Sequence, residues 1–434
     1  MVVFVSLFLG LTVGTHAVEV GVAGPVASVE IRLDERRVGV MAGEPWRLAV
    51  DFGDDLRPHE LVAVARDGDG RELDRQVLWV NLPRSTIEAR LLFEGDADRV
   101  ERARVVWESV LDVEPERVRV SLDGRPLAFV DLGAIELPDL DAGALHRLRV
   151  VMDFGRGRVV DVTGAFGAEL EESETLLTAI PVRGPRGGRG LEVEDVVLVR
   201  ASDRRRLEVQ AVDGGGGMAV IVRAEGVAET LARMGRPGRD LPRGLFDRRE
   251  ARSIRLHGTK VGAGSQRPGG YAVFDISPEL TRRDGRAHDI VTGARLPSDG
   301  LDLPERVADA VASAGVAAAE SGRPRAVVLL VGREEDDASE FSVAEVRRFL
   351  ASIAVPLLVW SVGEATPSLD AAAPGLPRQT RWGSAAQLVS ARAIEDAYEA
   401  LRAELRSQRI AWVRGRHPPH RVAAGEGSAA TIVD

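Results

Sequence analysis

The sequence predicts a multidomain chain: two all-β antiparallel sandwiches followed by a doubly wound α/β domain with a mainly parallel sheet. Three observations carry this. A pattern of alternating apolar and polar residues, Val29 to Asp34, recurs 89 residues later as Val118 to Asp123. After Met218 the pattern changes to apolar strands alternating with helical periodicity. The length of 434 residues, 44% of them apolar, suffices for about three independent cores.

Lys and Arg number 57 against 67 Asp and Glu, a net charge of −10, and no basic stripe is interleaved with aromatic residues. Nucleic acid is therefore not an expected partner. Lys260 is the only lysine, and there is no cysteine. Disulfides, thiolate metal sites and a cysteine nucleophile are excluded together.

Val2 to Gly14 is an apolar run of the length of a signal-peptide core, followed by Thr15-His16-Ala17 with small residues where a cleavage site requires them. Residues 1–17 are thus expected to form a signal peptide cleaved near Ala17, and the mature chain to be periplasmic or secreted. The alternative is a buried N-terminal strand. No later stretch is apolar enough to span a bilayer.

Val29-Glu-Ile-Arg-Leu-Asp34 and Val118-Arg-Val-Ser-Leu-Asp123 alternate with period two, which predicts strands with one wet face. His59-Glu60-Leu61 opens an apolar run ending in Arg66-Asp67-Gly68-Asp69-Gly70, and His146-Arg147-Leu148 opens another 87 residues later. Matching offsets point to a duplicated module, residues 18–85 and 86–184. His59 and His146 then hold equivalent places, as buried rings hydrogen-bonded to a turn. The strand with its Leu-Asp ending, followed by His-x-Leu-x-Val, resembles immunoglobulin-like domains of bacterial surface proteins.

Residues 185–217 read as a Gly-rich linker with a β-hairpin, Val193 to Val199 and Leu207 to Val212 around Ser202-Asp203. From 218 to 434 the expected strands are Ala219 to Val222, Ser253 to Leu256, Ala272 to Ile276, Ala326 to Val331 and Pro356 to Val362. Asp302 with Glu305 and Ser342 with Glu345 fit capping boxes that start helices. Ile394, Ala397, Leu401 and Leu405 recur at helical spacing after Ser390. An irregular C-terminal tail is expected to hold His417 and His420.

This order, with Arg325-Ala-Val-Val-Leu-Leu-Val331, Val355-Pro-Leu-Leu-Val-Trp-Ser-Val-Gly363 and the terminal helix Ala393 to Gln408, resembles a von Willebrand factor A domain of the bacterial secreted VWFA-related type. The resemblance implies a Rossmann-like fold and a metal-ion-dependent adhesion site at the carboxyl edge of the sheet. In such a site hard oxygen ligands leave a divalent cation one open position. Here Arg223 stands at the aspartate position, Glu225 and Val227 at the serines, Leu301 with Asp302 at the threonine region, and Gly332-Arg333 at the final aspartate. A guanidinium repels a cation. The metal site is therefore expected to be absent and no cofactor is implied. The positions Arg223, Glu225, Val227, Leu301, Asp302, Gly332 and Arg333 become a candidate protein-binding surface. The run Glu334-Glu335-Asp336-Asp337 is the alternative seat for a displaced cation.

Enzyme signatures are lacking: no phosphate-binding Gly-rich loop, no H-E-x-x-H and no nucleophile elbow. Ser265 in Gly262-Ala-Gly264-Ser265 is the nucleophile of a runner-up reading, a cell-envelope hydrolase. Asp67-Gly-Asp69-Gly reads as a hairpin turn and Trp46, Trp79 and Trp107 as packing. The expected function is an exported, non-enzymatic interaction or scaffolding protein with an unidentified protein partner.

Overall fold

A computed structural model describes residues 2–433 apart from 7, 9, 23, 83–86, 97–98, 110–113, 124, 139, 141–145, 154–158, 167–176, 185–190, 214–216, 225–226, 228–229, 231–250, 262–273, 278–295, 298–301, 321, 333–336, 363–377 and 416. The described chain is mostly β, and its sheets outside the last domain are antiparallel. It forms two compact units, Met1–Asp55 with His59–Glu174 and Leu56–Pro58 with Thr175–Asp434.

The first unit holds the two duplicated sandwiches. In the first, Arg36–Met41, Ser28–Leu33, His59–Arg66 and Glu72–Val80 form one sheet in that order. Val2–Phe4, Thr15–Val22 and Arg47–Asp51 form the other. Val29, Ile31, Leu61, Ala63, Val80 and Phe52 meet in the core between them. In the second, Arg117–Leu122, His146–Asp153 and Val159–Phe166 form a ladder closed by Arg125–Pro126. Ala103, Ile135, Leu148, Val150 and Met152 fill its core.

The duplication is visible to the atom. Leu33 pairs with Leu61 and Leu122 with Leu148. The aspartate after each strand turns with positive φ, 50° at Asp34 and 49° at Asp123. That conformation is tolerated by Asp because its short side chain bonds locally. Its carboxylate then accepts from the histidine opening the partner strand, Asp34 Oδ2 from His59 Nδ1 at 2.7 Å and Asp123 Oδ2 from His146 Nδ1 at 2.8 Å.

The segment expected as a leader is built into the first sandwich. Val2–Phe4 pairs antiparallel with Val20–Val22, and Val2, Phe4 and Phe8 are buried. Thr12 donates its amide to Asn81 Oδ1 and its carbonyl accepts from Asn81 Nδ2, at 2.6 and 2.7 Å. In this structure the segment forms a buried strand at the edge of its sheet.

The second unit corrects the expected boundaries. Leu177–Arg183, assigned by sequence to the second sandwich, pairs along its length with Gln408–Arg414, assigned by sequence to the α/β domain of 218–434. Val209–Asp213 pairs with the other side of Gln408–Arg414, and Thr431–Ile432 completes a four-stranded sheet. Leu198–Arg200 pairs with Val422–Ala424. Ile180, Val182, Leu198, Ala411 and Val413 are fully buried between these layers. Residues 177–213 and 408–433 are thus a third β-module, and the α/β domain is inserted into it.

In this insert β1 is Gly217–Arg223, β2 Ala251–Val261, β3 Phe274–Ile276, α1 Val307–Glu320 and β4 Arg325–Val331. Then come α2 Val343–Ser352, β5 Leu357–Ser361, β6 Arg378–Thr380, β7 Gly383–Gln387 and α3 Ala391–Ser407. The sheet order is β3-β2-β1-β4-β5-β7-β6. The β2-β1, β1-β4, β4-β5 and β5-β7 ladders are parallel, and the edge strands β3 and β6 are antiparallel. Ala219, Ile221, Val328 and Leu330 pack against Ile394, Tyr398 and Leu401 of α3. Val220, Val222, Val327 and Leu329 are equally buried and alternate to the other face, where α1 lies. α1 and α2 approach closely because Gly315 has no Cβ, which would stand 2.2 Å from Leu350 Cδ2.

Ser342 and Glu345 form the expected capping box at α2, and Ser390 caps α3 by accepting from Ala393 N. The box expected at Asp302 does not form. α1 begins instead at Val307 and takes its cap from elsewhere in the chain.

Phe4, 1% exposed, tests the structural role of the N-terminal segment. Phe4→Ala should destabilise the first sandwich by about 3–5 kcal/mol. Urea unfolding followed by hydrogen exchange of the Val62 and Val64 amides checks it.

Candidate functional site

The carboxyl ends of β1, β2, β4 and β5 meet at one edge of the sheet, where the strand connections diverge on either side of β1 and β4. This is where open parallel sheets place ligands. Arg223 ends β1 in register with Leu330, but it is only 5% exposed. Val227, 1% exposed, belongs to the core beneath. Asp302 is exposed, and Gly332 is half-buried after β4. Glu225, Leu301, Arg333, Glu334, Glu335, Asp336 and Ser265 lie outside the described residues. The expected surface of exposed charges is thus corrected at Arg223 and Val227: both are buried, because they continue the inward-facing row of β1 and the apolar layer under α3.

Asp337 is the described member of the acidic run, and its carboxylate is spent on α1. Oδ1 accepts from Val307 N at 2.9 Å, Ser339 N at 3.1 Å and Ser339 Oγ at 2.6 Å. Ser339 Oγ accepts in turn from Ala308 N and Asp309 N, at 2.8 and 3.2 Å. Together they satisfy the first amides of a helix whose N-terminus carries partial positive charge. Asp337 Oδ2 accepts from Arg381 Nη2 at 3.0 Å. Asp309, 1% exposed, accepts from Arg306 Nε at 2.6 Å and from the Glu340 and Phe341 amides at 3.0 and 3.1 Å. Sequence reasoning missed this cap because donor and acceptor stand 30 residues apart. The Asp-x-Ser spacing of a local turn was its only trace.

Beside this network β2 carries a buried polar row. Thr259 Oγ1 donates to Glu305 Oε1 at 2.8 Å, and Lys260 bridges Glu305 through the backbone. His257 is fully buried, with Nδ1 2.8 Å from Gly258 O and Nε2 3.4 Å from Ser313 Oγ. Burial pushes its pKa down to about 4, so the ring is neutral at pH 7. The ring links β2 to α1 through Ser313.

Among the described residues no three His, Asp or Glu side chains converge as metal ligands. Asp67 Oδ1 accepts from the Asp69 and Arg71 amides, as a hairpin turn requires. His417 is pinned, its amide donating to Thr178 Oγ1 at 3.1 Å, so the expected irregular tail is an ordered return to the third module.

Two consequences can be measured. Asp337→Ala should lower stability by about 1–2 kcal/mol, the worth of a lost helix cap, read by chemical denaturation. The unfolded state protonates His257 below about pH 6.5, whereas the folded state resists until about 4. Its contribution is therefore complete above about pH 6.5 and lost as pH falls toward about 4, at most roughly 3 kcal/mol. His257→Leu should lose less stability than the parent between about pH 7 and about pH 5 in paired urea titrations.

No protein-family model and no curated protein matches the chain. Several solved structures show similarity. Fibronectin(III)-like modules of Clostridium thermocellum CbhA align at 14% identity and TM-score 0.17, over 18% of this chain and 93% of theirs. The central fibronectin-III array of RIM-binding protein aligns at 11% and 0.18, over 41% and 72%. A β-glucuronidase of glycoside hydrolase family 2 aligns at 12% and 0.17, over 48% of this chain and 28% of its own.

Proposed function

We propose that this is a non-enzymatic protein-interaction or scaffolding chain, in which an inserted domain of the von Willebrand factor A type recognises a protein partner without a metal ion. The observation that carries the reading is the fate of the described carboxylates Asp337 and Asp309 at the carboxyl edge. Asp337 and Asp309 accept backbone amides at the start of α1 and the loop before α2, and Arg223 closes the end of β1. The oxygens of Asp337 and Asp309 are already hydrogen-bonded, and a cation at them would have to displace bonds to a helix N-terminus.

The assignment to the A type rests on strand order, with β1 central, β2 and antiparallel β3 on one side, and β4 then β5 on the other. It also rests on the Ser342 and Ser390 caps that open the last two helices. Export to the periplasm or beyond belongs to the same proposal.

Crosslinking of the chain in the envelope of its source cells, with and without a chelator, tests the reading. The expected result is that the same partner proteins are recovered under both conditions. Loss of recovery with the chelator, together with a thermal midpoint raised by millimolar Mg²⁺ or Ca²⁺, would replace it with cation-dependent adhesion, because a ligand bound only by the native state must stabilise it.

A further inference from the structure

The inserted domain leaves its host module without a linker: α3 ends at Ser407 and Gln408 begins the strand that runs between Leu177–Arg183 and Val209–Asp213. The way in lies beside the way out, since Asp213 pairs with Ile410. Two adjacent covalent crossings alone would act as a hinge. We infer that Gln408 removes that hinge and couples the α/β insert to its host as one cooperative body.

The Gln408 side chain is fully buried and all of its contacts cross the junction or close it. Its Oε1 accepts from Arg325 N at 2.8 Å and its Nε2 donates to Arg325 O at 2.9 Å. Arg325 is the first residue of β4, so an amide from the host takes the place of a neighbouring strand at the amino edge of the insert's sheet. Nε2 also donates to Glu404 Oε1 at 2.8 Å, in the last turn of α3. Arg183, directly opposite Gln408 in the host ladder, donates Nη2 to the same oxygen at 2.5 Å. Apolar contacts flank the pair. Leu405 lies 3.0 Å from where a Cβ on Gly217 would stand, and Trp412 lies 3.5 Å from the same point on Gly322.

A buried amide whose partners are lost is costly, and so is each group left behind. Any swing that separates the host from β4 would strand the Gln408 amide and both backbone groups of Arg325 at once. Opening of either body therefore carries the other with it. These hydrogen bonds all lie at the amino edge of the insert's sheet.

Native-state hydrogen exchange of the full chain across a denaturant series tests this. In the parent, the Val327–Leu330 amides of β4 and the Ile180, Ala411 and Val413 amides of the host should merge into one opening isotherm. Gln408→Met keeps the volume and removes the hydrogen bonds. It should split that isotherm, with host amides exchanging about tenfold faster relative to β4. Arg183→Met at the half-buried rim should produce a smaller split of about threefold, and serves if the Gln408 variant fails to fold. Separate isotherms in the parent, or a single shared isotherm in the variants that fold, would overturn the coupling.

Discussion

The amino edge of the α/β insert is organised by one buried cation. Arg325 is 2% exposed, and its guanidinium donates to Ala319 O at 3.2 Å, Ile353 O at 3.1 Å and Ala354 O at 3.3 Å. Those carbonyls end α1 and follow α2, where unpaired acceptors and the negative end of the helix dipole collect. Burial lowers the Arg325 pKa to about 10, which still leaves it charged at neutral pH. Desolvating such a charge costs several kcal/mol, and the three charge-assisted bonds return roughly 1.5–3 kcal/mol each. The net gain is small. What the guanidinium supplies is geometry: two helix ends, the first residue of β4 and, through Gln408, the host strand are referred to one point.

The opposite edge is organised by acids instead of a base. Asp337 and Ser339 meet the positive end of α1, and Asp309 holds the loop that leads into α2. The two ends of α1 are thus matched electrostatically, a carboxylate at its start and a guanidinium at its finish. This division places opposite charges at the two ends of one helix. Asp337 and Asp309 hold the helix start and the loop after β4 in place.

Much of this was legible in the sequence because it is local. Period-two alternation located Ser28–Leu33 and Arg117–Leu122, the paired offsets identified the duplicated modules, and Ser342 with Glu345 marked the start of α2. The continuous apolar run Ala326 to Val331 identified a strand covered on both faces. What stayed hidden depends on partners distant in the chain. Leu177–Arg183 finds Gln408–Arg414 across more than two hundred residues, and nothing in either segment specifies the other. The Asp302 box was a sound local signal that lost to Asp337, whose better-placed carboxylate arrives from after β4. Val2 to Gly14 shows a different ambiguity. Hydrophobicity and length are shared by a leader and an edge strand, and the contacts of Phe8 with Phe52 and of Thr12 with Asn81 depend on residues distant in the chain.

Insertion at the amino edge also bears on how such a domain can change. Entry and exit are fixed by pairing between Val209–Asp213 and Gln408–Arg414, so the host ladder is indifferent to what happens at the far end of the insert's strands. Loops at the carboxyl edge join elements already held by Arg325, Gln408 and the helix caps. They can be lengthened or recharged at little entropic cost to the fold.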